Sequence, residues 1–266
     1  MRRLFLAFQF LTVLPIRVEG DVTEKDVAGT TAFFPAVGAF QGLVAAVPAF
    51  FLVKVLPPDV SAVLALLFLI LSNYGFDLDG LADTFDGLAI KSTGDTARDR
   101  EKRLLVMKDS ATGAMGVIAL IMTILLKFIL MRTLLTHLPA VRAATFFFLM
   151  PVFSKWVTVP AMYHGSSARR DGLGRMFVEH ARASDVLLAT LVLSLFCLLA
   201  AVLRLLGPSA IAALGFCAFL VVLFCIFDLL AVPFLGKKFG GLTGDHFGAL
   251  TETTEVIFLL AACAWL

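Results

Sequence analysis

Charge is scarce in this chain: Asp, Glu, Lys and Arg together make up 16% of its 266 residues. The four cysteines (Cys197, Cys217, Cys225 and Cys263) lie inside apolar runs and form no CxxC pair. That pattern argues against a disulfide framework or a thiolate metal site and leaves them as small packing residues. No GxSxG, HExxH or Walker lysine loop occurs, so hydrolase and P-loop readings lack their motifs. His137, His164 and His180 have no partner at metal-ligand spacing. A net charge of +2, without a basic stripe interleaved with aromatics, gives no support for a nucleic-acid partner. Internal repeats and low-complexity segments are absent.

Apolar residues are what the chain has in excess. They make up 60% of it, and the mean hydropathy is +0.95. A soluble chain of this length cannot hide that much apolar surface, so the composition predicts an all-α polytopic membrane bundle in a single domain, residues 1–266. A crossing takes about 20 apolar residues. Spans are predicted near Phe33–Leu56, Val60–Tyr74, Gly113–Leu135, Val141–Met162, Val186–Leu206 and Ile211–Leu235. Glu255–Leu266 is too short to cross unless it starts near Phe247, which makes six to seven transmembrane helices in all. Leu4–Ile16, behind Arg2 and Arg3 and with no small-residue cleavage site after it, reads as a retained shallow or re-entrant helix. Lys and Arg gather in three long connections, residues 76–112, 163–185 and 236–254, and the tight turns between the other spans hold none. The positive-inside rule then places all three long loops in the cytoplasm, at the inner membrane.

The first of these loops opens with Phe76-Asp77-Leu78-Asp79-Gly80-Leu81-Ala82-Asp83-Thr84-Phe85-Asp86-Gly87. On a helix, Asp79, Asp83 and Asp86 stand at i, i+4 and i+7 and share one face. Three like charges on one face call for a cation, and oxygen-only ligands favour a hard divalent ion, Mg2+ first. Further along, Lys108-Asp109-Ser110-Ala111-Thr112-Gly113 precedes a span. Ser110 or Thr112 is placed to cap that helix, whose amides would form an anion site, with Lys108 as a point charge and Asp109 as a further ligand. Arg169, Arg170 and Arg175 surround a glycine-rich turn, and their forks match phosphate oxygens. The last loop, Gly240-Gly241-Leu242-Thr243-Gly244-Asp245, can wrap a phosphate or a metal. A helix after it would put Asp245, Glu252 and Glu255 roughly on one face.

Taken in order, these motifs resemble the cobalamin synthase family, the membrane-bound adenosylcobinamide-GDP ribazoletransferases. The likeness rests on Leu78–Gly87, Met107-Lys108-Asp109-Ser110 with Gly113, Gly240–Asp245 with Gly248-Ala249, Phe34–Gly38, and the Phe10–Pro15 pattern. The chain departs from the family pattern at Asp77, Ala111 and His246. The resemblance implies that a hydroxyl of α-ribazole or of its 5′-phosphate attacks the phosphate attached to adenosylcobinamide. GMP leaves, adenosylcobalamin or its 5′-phosphate forms, and Mg2+ is required. Asp79, Asp83 and Asp86 would hold the metal. Lys108, Ser110 and the arginines, with Gly240, Gly241, Thr243 and Gly244, would bind phosphate. Asp109 or Asp245 would complete the metal shell or take the hydroxyl proton. The partners implied are the two substrates and the bilayer, with a homo-oligomer or an association with other corrinoid-pathway enzymes left open.

Two alternatives are weaker. A CDP-alcohol phosphotransferase would show Asp-Gly-x-x-Ala-Arg, whereas Asp83 follows Ala82 here. A cation-coupled transporter would place its carboxylates near the midplane and show repeated broken helices.

Overall fold

The computed structural model describes residues 1–266 and is helical throughout, apart from one isolated parallel bridge between Ser167 and Leu242. Two short helices, α1 (Arg2–Leu11) and α2 (Glu24–Ala28), and a 3-10 turn at Thr31–Phe33 lead into the first long helix, α3 (Phe34–Leu52). There follow α4 (Pro58–Leu71), α5 (Phe76–Leu88), α6 (Thr96–Val106), α7 (Ala114–His137) and α8 (Ala140–His164). The chain closes with α9 (Leu173–His180), α10 (Ala183–Val202), α11 (Ala210–Phe239) and α12 (Gly244–Ala264).

Six helices are long and apolar enough to cross a membrane, and α4 with α5, bent by 84°, forms either a broken seventh span or a re-entrant loop. At 1.5 Å per residue α4 reaches only about 21 Å, short of the roughly 30 Å hydrocarbon core. Two boundaries differ from expectation. The last crossing does not start near Phe247 but at Gly244, because Thr243 caps it there. The second crossing stops at Leu71, and the aspartate motif forms its own helix beyond the bend. At ten residues, α1 is too short to cross, in keeping with a shallow N-terminal helix.

The centre of the bundle is α8, almost wholly buried. Against it lies α3, and small residues set the closeness of that pair. A Cβ on Gly38 would fall 2.3 Å from the carbonyl oxygen of Pro151, and one on Gly42 would fall 2.2 Å from that of Phe148. Lipid tails are as apolar as leucine, so such close backbone packing is what joins helices in a membrane. A continuous apolar core runs through the bundle, with α7, α10 and α11 turning leucine, isoleucine and valine outward. All four cysteines are free.

The three long connections and the α1–α2 segment meet at one end of the bundle. Arg175 pairs with Glu24 at 2.8 Å, Leu242 bonds the 166–168 segment, and Arg103 donates to the carbonyl of Lys238 at 3.0 Å. The candidate chemistry is therefore gathered on one face.

Candidate active site

The site is built on α5, and the aspartates of α5 hold that helix in place. The break before it is a left-handed pair, Tyr74 at φ 55° and Gly75 at φ 72°. Asn73 bridges the turn, accepting from the Gly75 amide at 3.0 Å and donating to Asp77 at 2.6 Å. Asp77 is buried and ion-paired with Lys155 of α8 at 2.6 and 2.9 Å. At the other end, Asp86 is buried and accepts from the Gly113 and Gly116 amides at 2.6 and 2.8 Å. Thus α5 is pinned to α8 at one end and to the start of α7 at the other.

The second pin corrects an expectation. Neither Ser110 nor Thr112 caps α7: the cap residue is Gly113, which has no side chain to offer. The first amides of α7 do form an anion site, but the anion they hold is the protein's own Asp86. Glycine is required at Gly116, where a Cβ would meet an Asp86 oxygen at 2.4 Å.

Between the pins stand Asp79, exposed, and Asp83, half-buried, and neither is paired with a cation of the protein. Asp245 comes to them from α12. Its approach depends on Gly80, where a Cβ would lie 2.6 Å from the Asp245 carbonyl oxygen. Gly248 repeats the device one turn on, 2.7 Å from the carbonyl of Asp77. The loop before Asp245 is fixed by local chemistry. Gly240 ends α11 at φ 86°, and Leu242 exchanges bonds with Ser166 and Ala168 at 2.6 and 2.9 Å. Thr243 caps α12, donating its amide to His246 Nδ1 at 3.0 Å and accepting from the His246 amide at 3.5 Å. His246 thus stands where a capping box normally has Glu or Gln. That explains one of the chain's departures from the family pattern: fully buried against Phe239, His246 is a cap rather than a base.

The bond between 242 and 166–168 also delivers Arg169, whose Nη2 lies 3.2 Å from Asp245 Oδ2. The charges of Asp79, Asp86 and Asp245 all act on Asp83, and Arg169 is the cation that offsets them. The Nε atom of Arg169 is buried without a hydrogen-bond acceptor. Arg169 also lines a cleft of about 210 Å³ with Lys108, Arg170, Glu101 and Asp171.

Other expected residues sit less centrally. Asp109 is exposed and accepts from the amide of Ala111 at 3.1 Å, and Ser110 beside it is also exposed. Arg175 is held by Glu179 and Glu24 at 2.7 and 2.8 Å. Glu252 and Glu255 do follow Asp245 along α12, but both turn to Lys127 at 2.5 Å, and Ser154 donates to Glu255 at 3.0 Å. Sequence reasoning missed Lys127, Lys155 and Asp228 altogether. The available signal was the rule that an ionisable residue inside a span needs a named partner.

As the side chains stand, no three acidic, His or Cys groups converge tightly enough to enclose an ion. The donor chemistry nevertheless fits a hard cation. Three carboxylates act on Asp83 with one guanidinium among them, and all their donor atoms are oxygen.

Residues 3–263 match the family model described as Cobalamin-5-phosphate synthase. A relative from Thermodesulfovibrio yellowstonii is 33% identical over 261 residues, covering 98% of this chain and 95% of its own. One from Desulfitobacterium hafniense is 34% identical over 263 residues, at 98% and 96%. One from Geotalea daltonii is 33% identical over 264 residues, at 99% and 98%. Each of the three is named adenosylcobinamide-GDP ribazoletransferase. No solved structure matches the chain. A match that runs from the first turn of α1 to the last of α12 takes in every helix that positions the aspartates, and on that footing this chain belongs to the cobalamin-5-phosphate synthase family.

Proposed function

We propose that this chain joins adenosylcobinamide-GDP to α-ribazole or its 5′-phosphate, releasing GMP and forming adenosylcobalamin or its 5′-phosphate. The observation that carries this reading is the meeting of Asp79, Asp83, Asp86 and Asp245 beside a cleft holding Lys108, Arg169 and Arg170. Diphosphate cleavage needs such a pairing: oxygen ligands for a cation on one side, fixed positive charge for the departing phosphate on the other.

In this proposal Asp79 and Asp83 hold Mg2+. Asp86 joins through the lone pairs left free by its two amide bonds. Bound there, the cation supplies neutralising charge to the diphosphate. The protein's own groups do the rest. Lys108, Arg169 and Arg170 take the phosphate oxygens of GMP, and the unpartnered Nε of Arg169 is a ready donor. Asp245, kept in place by Thr243 at 3.2 Å, is the acceptor for the attacking hydroxyl's proton. Gly241 lets the loop close on the 166–168 segment, where a Cβ would lie 2.5 Å from the Ser166 carbonyl oxygen, and Gly240 turns the chain at φ 86°. Asp109 and Ser110 stand at the mouth of the site, and Arg175 supports the fold through Glu24.

The Lys and Arg content of the loops supports a cytoplasmic site at the inner membrane. Purified protein in detergent, given both substrates and Mg2+, should release one GMP per corrinoid product, and omitting either substrate or the metal should stop release. GMP release without α-ribazole, or none with all three present, would refute the assignment.

A further inference from the structure

A groove of about 580 Å³ opens where the α4–α5 break meets α1 and α7, and nothing above assigns it a role. Its walls include Phe10, Tyr74, Phe76 and Leu120, with Asp79 among them. It shares no lining residue with the cleft of Lys108, Arg169 and Arg170, and the carboxylate cluster touches both: Asp79 lines the groove, and Asp245 is paired with Arg169 of the cleft at 3.2 Å. One is aromatic and apolar and the other is cationic.

In phosphoryl transfer the attacking and leaving oxygens are roughly in line across phosphorus. If the leaving phosphate departs into the cationic cleft, the nucleophile enters from the other opening. We infer that the groove at the α4–α5 break is the subsite of the nucleophilic nucleoside, whose flat apolar base stacks against Phe76 and Tyr74 while its ribose hydroxyl reaches the cluster beside Asp79. This rests on the proposed function. It adds which opening takes which substrate.

Two observations favour an aromatic guest. Phe76, the first residue of α5, is 54% exposed, and Tyr74, in the turn before it, 82%. Tyr74 is also held at φ 55°, a left-handed conformation that a non-glycine residue adopts at a cost and that keeps its ring at the rim. A stacked base is worth holding in this way because each aromatic contact contributes substantially and tolerates small differences in the base. The step balances. The hydroxyl oxygen forms the new P–O bond to the corrinoid-bound phosphate, the bond to the bridging oxygen breaks, and its electron pair leaves with GMP. The hydroxyl proton passes to a carboxylate of the cluster.

The test is steady-state kinetics of Phe76→Ala in the full chain, paired with equilibrium dialysis of α-ribazole alone against wild type and variant. Leu120→Trp, which fills the groove from α7, serves as an independent variant. Both substitutions should raise the KM for α-ribazole about tenfold, the scale of one lost aromatic contact, without moving the KM for adenosylcobinamide-GDP. Dialysis should show the same loss of nucleoside binding. A raised KM for the corrinoid substrate instead, or no change in either, would overturn the assignment, the first pointing to the macrocycle and the second to lipid. Nucleoside binding that the variants lose, in a protein that never releases GMP, would keep the subsite and sink the reaction. GMP release with an unmoved nucleoside KM would do the reverse.

Discussion

Asp77 and Lys155 show how much a single buried charge can decide here. Each is almost fully buried, and each satisfies the other at 2.6 Å. Removing one partner of such a pair leaves a bare charge in a low-dielectric interior and costs about 3–5 kcal/mol. Asp77→Asn and Lys155→Met should therefore each lower stability in detergent by roughly that amount, and the double variant should lose less than their sum. Additive losses in thermal unfolding would show that the two residues do not act as a pair. Lys108 is a different case, exposed at the rim of the cationic cleft. Lys108→Ala should raise the apparent KM for the GDP-activated substrate about tenfold, the effect of one lost charge-assisted phosphate contact. An unchanged KM and rate would reduce it to a snorkelling side chain. Lys155 escaped the sequence reading because its partner lies 78 residues upstream and nothing local marks an internal lysine as paired.

At the scale of elements, glycines set the distances between the helices that carry the site. Gly80 lets α5 meet α12 at Asp245, so Gly80→Ala should lower GMP release at least about tenfold in a chain that still inserts, since a displacement near 1 Å suffices for larger losses. Wild-type turnover would mean that the helices separate without consequence. The latch on α6 makes a pH prediction. Asp99 accepts from the Ser92 hydroxyl and from the amide and hydroxyl of Thr93, and those bonds hold its pKa down to about 2. A lowered folded pKa contributes stability that is fully present above the ordinary carboxylate value and lost as pH falls through about 2. Amide protection over residues 91–106, taken relative to the intrinsic exchange rate at each pH, should therefore be kept at pH 4 in the wild type and be lost at pH 7 in Asp99→Asn. Equal protection in the two would remove the latch from the account.

The α5 face was legible in the sequence because three aspartates at helical spacing have few other readings. The α7 cap was not, because the cap comes from Asp86, which lies 27 residues before Gly113. The start of α12 was obscured by its own charges: Asp245, Glu252 and Glu255 made a membrane helix look like a loop until Lys127 was seen to neutralise two of them.

Over the whole molecule, if α4 and α5 together make one span, seven crossings would put the two chain ends on opposite sides, with the N-terminus and the three long connections together. A cysteine at Gly94 should react with an impermeant thiol reagent only from the cytoplasmic side, and one at Pro208 only from the other. Labelling of both from one side would invert or break that topology. The bundle thus brings residues from α5, α12 and the 166–172 segment to one place, and the account stands on what that place does. The most direct test is GMP release by Asp83→Asn beside wild type, with insertion and unfolding temperature checked in both. The substitution removes charge but little volume. The account predicts Mg2+-dependent release by wild type and a loss of at least about 100-fold in the variant, with the fold intact. Normal turnover by Asp83→Asn would contradict it.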